Sequence, residues 1–212
     1  MTPTCKPPSY FGSPRPLAGE GPGVMANRVH RSQPRRRPIR DPHHFQRTGS
    51  IDGNPDEATH SINAIVATER PVTIWDSRSR RYMMEILLMR GGQFPSWCPL
   101  LESHQSWTLN YVLGSVVGMK RSGRVARAEF RFAQDDDYVE PIWRKVRDKH
   151  IRGVSIGGRR VSYIDIEPGE SANIFGRRFT AGRNMPLRVT TNWIARETSI
   201  VIFAADIDSM TT

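Results

Sequence analysis

Three polar residues lie in apolar or β-prone stretches, and together they could carry out nucleophilic catalysis. Ser155 sits in Gly153-Val154-Ser155-Ile156-Gly157-Gly158, between two β-branched residues that favour a strand. His104 closes a segment that opens with the apolar Pro99-Leu100-Leu101, and Glu197 separates two apolar runs near the C-terminus. A serine hydroxyl is a poor nucleophile at neutral pH. An imidazole in hydrogen-bond reach removes its proton during attack, and a carboxylate fixes the ring and stabilises its charged form. Gly157 and Gly158 admit a close backbone approach, which makes them candidate neighbours of an oxyanion site or of an incoming peptide. Each residue also has an ordinary explanation. Ser155 fits a plain strand ending at a Gly-Gly bend, and His104 fits a half-buried loop. Glu197 fits a salt bridge with Arg196 or Arg188. Spacing alone does not choose between these readings.

The elements that would position these residues are mostly strands. Ser61 to Thr68 and Pro71 to Trp75 are β-prone. Tyr82 to Met89 is apolar and short, and periodicity leaves strand and helix turn both open. Tyr111 to Met119 and Arg124 to Phe132 read as a hairpin turning at Lys120-Arg121-Ser122-Gly123. In its second arm Ala126, Ala128, Phe130 and Phe132 alternate with polar residues, the pattern of a strand buried on one face. Asp135-Asp136-Asp137 suits a helix start. Val139, Ile142, Trp143 and Val146 then fall on one helical face. That helix leads through Ile151-Arg152-Gly153 into the Ser155 strand, which continues to Ile166. Ile174 to Thr180, Leu187 to Ala195 and Ile200 to Ala204 complete the expected strands. Many strands and one clear helix predict a β-rich α+β body, a barrel or a sandwich.

The chain has 212 residues and a formal charge of +10. Residues 1–50 hold nine Lys/Arg against two Asp/Glu, so the basic character belongs to the N-terminal part. Pro and Gly crowd residues 1–24, and Arg28 to Arg40 follows. This predicts a disordered basic tail and linker over 1–60 and a folded domain over 61–212. Met25 offers a second start, which the intact mass of the native protein would decide. The arginine run attracts phosphate or acidic surfaces without sequence preference. The near-neutral body lacks the basic, aromatic-studded face of a nucleic-acid binder. Cys5 and Cys98 fall in different regions, which argues against a structural disulfide and for a reducing compartment. Cys98, between Trp97 and Pro99, reads as a small buried hydrophobe rather than a catalytic thiol. His43-His44 has no further ligands at metal spacing, so no metal or cofactor is expected. No apolar run approaches bilayer length, and no signal peptide is evident.

Four stretches share an order: PLLESH (99–104), VLGSV (112–116), KVRDKHIRGVSIGG (145–158) and WIARETSIV (193–201). In this order they resemble the caudovirus prohead serine proteases, the phage head-maturation proteases related to herpesvirus assembly proteases. The resemblance spans Ile65 to Asp206. It implies a herpesvirus-protease-like β-barrel flanked by helices. It also implies serine endopeptidase activity on the major capsid protein, on scaffold and on the protease itself, inside proheads assembling in the host cytoplasm. His104 falls on the family's histidine and Ser155 on its serine. Glu197 takes the acidic position, with His150 as the rival third member because herpesvirus relatives use a second histidine. Those relatives dimerise, so a homo-oligomer is a further implied partner. Gln105 and Gly158 depart from the family pattern. An inactive assembly component of the same fold is the alternative function, and nucleic-acid binding through the tail is the weaker one.

Overall fold

The structure is a computed structural model that describes residues 44–202. The expectations for Met25 and the arginine run of the tail lie outside the described residues. Twelve strands and one α-helix make up the described fold. The first strand, β1 (His44–Ile51), lies in the stretch expected to be linker. The folded domain therefore starts well before residue 61. HFQRTGSI hides as a strand because Arg47 is buried, which no apolar pattern reveals.

β2 (Ser61–Thr68), β3 (Val72–Asp76) and β4 (Arg81–Leu87) follow. The ambiguous run 82–89 resolves into β4 and a 3-10 turn at Met89–Gly91. β5 (Gly92–Gln93) is short, and β6 (Trp97–Glu102) ends two residues before His104. β7 (Val112–Ser122) and β8 (Val125–Phe132) form the expected hairpin, and Ala126, Ala128, Phe130 and Phe132 all face inward. The helix, α1 (Val139–Arg147), buries Val139, Trp143 and Val146. The side chain of Asp136 accepts the backbone N–H groups of Tyr138 (2.9 Å) and Val139 (3.1 Å) and so caps its first turn.

β9 (Gly153–Ile166) carries Ser155. The single strand expected over 174–180 is a hairpin, β10 (Ser171–Ile174) and β11 (Arg177–Thr180), turning at Phe175 and Gly176. The two strands expected at the C-terminus are one, β12 (Leu187–Val201). Its polar stretch Arg196 to Ser199 is strand, with a register shift between Ala195 and Glu197.

β12 organises the sheet. It runs antiparallel to β9 along its length and pairs in parallel with β4, β5 and β6 in turn. The order β12-β6-β7-β8-β2-β1-β9 closes through the β9–β12 pairing into a seven-stranded barrel. Closure removes unpaired edges from those strands. β3 and β4 extend the sheet beyond it. Among the described residues a single α-helix accompanies the barrel, so the helices expected to flank it reduce to α1. None of the described helices is long and apolar enough to cross a membrane.

Two cores result. The larger holds Phe45, Leu100, Leu113, Phe130, Trp143, Val154, Ile156 and Trp193, with Trp193 wedged edge-on against Phe45 and Phe94. A fully buried side chain of this kind contributes on the order of 1.5–3 kcal/mol. The smaller core lies where the ends of β4, β9 and β12 meet the β10–β11 hairpin, through Ile86, Ile166, Phe179 and Leu187.

Candidate active site

Alternation along β9 and β12 decides which side chains meet. Val154, Ile156 and Ile200 join the large core, and Thr198 is fully buried on the same side. Ser155, Gly157, Glu197 and Ser199 therefore share the opposite face. Ser155 pairs with Ser199 across β9–β12 and with Thr48 across β1–β9. The three hydroxyl residues form one lateral row over three strands, with neighbouring Cβ atoms roughly 4.5–5.5 Å apart. All three are buried, and Ser155 is 4% exposed. The Thr48 hydroxyl has no hydrogen-bond partner among the described residues.

His104 reaches this face from the turn after β6. The parallel pairing of β6 with β12 sets Leu101 against Ser199 and Glu102 against Ile200. Ser103 N–H donates to the Ile200 carbonyl (2.9 Å) and Gln105 N–H to the Glu102 carbonyl (2.9 Å). The turn holds Ser103 (φ 47°) and His104 (φ 60°) in the left-handed region. Such a conformation costs non-glycine residues of order 1–3 kcal/mol each, and it clusters at functional sites.

The result is a close His–Glu pair. His104 Nδ1 lies 2.7 Å from Glu197 Oε1. A carboxylate only accepts, so Nδ1 carries the proton and Nε2 keeps a free lone pair. Among the described residues nothing hydrogen-bonds Nε2. An imidazole held this way is set up as a base on its Nε2 side. Ser199 Oγ donates to Glu197 Oε2 (2.8 Å), accepts the His104 backbone N–H (3.0 Å) and lies 3.4 Å from Nδ1. No hydrogen bond joins Ser155 to His104 here. Contacts of that kind are often long without substrate and tighten when it binds.

The other candidates fall as follows. His150 is exposed just past α1, its N–H on the Lys145 carbonyl, and it makes no described contact with His104. Glu197 pairs with neither Arg188 nor Arg196: Arg188 is held by Asp76 and Asp165, and Arg196 is exposed. Gly157 and Gly158 are buried in a strand flanked on both sides, so neither offers an open surface to a peptide. A Cβ on Gly157 would lie 1.7 Å from Glu197 Oε1, and one on Gly158 would lie 2.3 Å from the Ile194 carbonyl. Gly157 thus makes the space that the Glu197 carboxylate occupies. Ser199 and Thr48 are the site-facing residues that sequence reasoning passed over. In sequence, Ser199 reads as part of a connector between strands and Thr48 as part of the tail.

No group of three or more His, Cys, Asp or Glu among the described residues could hold a metal ion. Cys98 points away from the site, with Sγ 4.0 Å from Thr198 Oγ1, and burial pushes its thiol up to about 11. At pH 8 about one molecule in a thousand would carry the thiolate. Iodoacetamide at that pH is therefore expected to leave Cys98 unmodified in the folded chain, as read by peptide mapping. Rapid alkylation there would contradict this burial.

Comparison with known proteins adds one structure. The bacteriophage T4 capsid assembly protease gp21 aligns with a TM-score of 0.32 and 12% identity, over 72% of this chain and 97% of that one. No protein family and no curated protein matches the chain.

Proposed function

We propose that this chain is a serine endopeptidase of the phage prohead-maturation type, with Ser155 as nucleophile, His104 as general base and Glu197 as the orienting carboxylate. The observation that carries the reading is the 2.7 Å contact between His104 Nδ1 and Glu197, set on the same barrel face as Ser155. Ser199 is the other serine near the ring. It lies beside Nδ1 rather than Nε2, and its hydroxyl already serves Glu197 and the His104 backbone. Ser155 makes no side-chain hydrogen bond among the described residues, which leaves its hydroxyl free to react.

In this mechanism Nε2 of His104 takes the Ser155 proton as Oγ attacks the scissile carbonyl. Glu197 stabilises the imidazolium. The ring then gives that proton to the leaving amine, and water hydrolyses the acyl-enzyme with the same base. The order of the four motifs supports capsid protein, scaffold and the chain itself as substrates, cleaved within assembling proheads in the host cytoplasm.

A second reading is an inactive assembly component of the same fold. It is favoured by the 4% exposure of Ser155 and its lack of a bond to His104. Co-expression with the neighbouring capsid and scaffold proteins, read by intact mass, separates the two. Wild type is expected to shorten them, and Ser155→Ala to leave them whole, a loss of about 10⁴-fold or more in rate. Equal processing by both would sink the protease reading.

A further inference from the structure

We infer that Ser199 is a positioning residue: it locks His104 and Glu197 into one rigid unit and so sets the direction of the base. This rests on the protease reading and adds to it a residue that the Ser–His–Glu trio does not contain. Ser199 is fully buried, and its single hydroxyl serves both partners at once. It accepts the His104 N–H at 3.0 Å and donates to Glu197 Oε2 at 2.8 Å. Glu197 is thereby held at both oxygens, by His104 Nδ1 on Oε1 and by Ser199 on Oε2. His104 is held at two points as well, its ring by Glu197 and its backbone by Ser199.

The backbone bond matters because of where His104 sits. Ser103 and His104 both occupy the left-handed region. A strained turn relaxes unless its surroundings over-determine it. The Ser103 N–H bond to Ile200 and the His104 N–H bond to Ser199 fasten both strained residues to β12. β12 is in turn one of the most embedded strands of the barrel, paired with β9 on one side and β6 on the other at this point. Ser199 thus transmits the rigidity of the barrel to a loop histidine. Since Ser199 pairs directly with Ser155, the same strand register fixes base and nucleophile relative to each other.

Removing the hydroxyl leaves the ring present but loosely aimed. A misplacement of about 1 Å can cost about 10²-fold in rate. The test uses the full chain and diisopropyl fluorophosphate, which reports nucleophile activation without a known substrate. Wild type should be labelled at Ser155. Ser199→Ala should be labelled at the same residue about 10–100-fold more slowly, and Ser199→Thr, which keeps the hydroxyl, should recover most of the rate. In parallel, the far-downfield Nδ1–H proton of His104, identified by its absence in Glu197→Gln, should shift or broaden in Ser199→Ala and return in Ser199→Thr. Label on Ser199 itself overturns the assignment. So does a Ser199→Ala variant with wild-type labelling, an unchanged Nδ1–H signal, or no recovery with threonine. If wild type takes no label while the Nδ1–H signal still responds to Ser199→Ala, the protease reading fails and the positioning of His104 by Ser199 stands.

Discussion

On the serine-protease reading proposed above, Gly157→Ala is expected to abolish most of the activity while the barrel stays folded. A Cβ at this position would fall 1.7 Å from Glu197 Oε1 and 2.7 Å from Glu197 Cδ. Both atoms belong to the free end of a side chain, so the carboxylate moves and the strands do not. The move breaks the 2.7 Å contact with His104 and the 2.8 Å bond from Ser199 together. The ring then loses the group that sets its tautomer and its aim. Loss of the orienting carboxylate in serine hydrolases costs about 10⁴-fold, and partial misplacement about 10²-fold, so the expected fall lies between about 10² and 10⁴. Fluorophosphonate labelling and capsid-protein cleavage should fall together, with Tm within a few degrees of wild type. Gly158→Ala is the control: its Cβ would meet the Ile194 backbone carbonyl at 2.3 Å and the Phe45 ring at 2.8 Å, so its main effect should be on stability. A Gly157→Ala protein as active as wild type would mean that the Glu197 contact plays no part in catalysis.

That glycine shows how far the sequence could be read. Hydrophobic alternation made β8 and the inner face of α1 plain, because each has one wet side and one dry side. It failed where polar residues are buried. Arg47 hides β1 among residues that look like linker. Arg196 to Ser199 splits β12 into two apparent strands, although Thr198 and Ser199 are both fully buried. The trio Ser155, His104 and Glu197 could be picked out by residue type and motif order. The contact between His104 and Glu197 could not, because it depends on parallel pairing between β6 and β12, about a hundred residues apart in sequence. Nothing in the sequence marks Ser199 as a partner of His104: it falls in the polar stretch that reads as a connector, and only the fold shows the His104 backbone resting on it.

Glu85→Gln, at the junction of barrel and extension, is expected to destabilise the fold strongly. Glu85 is fully buried on β4, where it receives Arg47 from β1, both Nε and Nη2 of Arg160 from β9, and the Thr190 hydroxyl from β12. One carboxylate thus ties three other strands together across the junction of barrel and extension. Burial works against its charge, but Arg47 and Arg160 outweigh that and hold its carboxyl down to about 2, from an ordinary 4.5. Guanidinium groups stay protonated, so a neutral side chain here leaves two buried positive charges facing each other. Breaking such a pair costs about 3–5 kcal/mol, a large share of the roughly 5–15 kcal/mol that holds a domain together. Thermal unfolding should show a fall of roughly 6–20 °C in Tm. The pH dependence distinguishes this origin from loss of packing. A carboxyl with a depressed folded pKa contributes its stability above about pH 4.5 and loses it as pH falls toward about 2. Glutamine does not titrate in that window. The stability gap between wild type and Glu85→Gln, measured by urea unfolding, should therefore be constant above pH 5 and close progressively below it. A gap that stays the same down to pH 2.5 would mean that the charge on Glu85 does not hold these strands together.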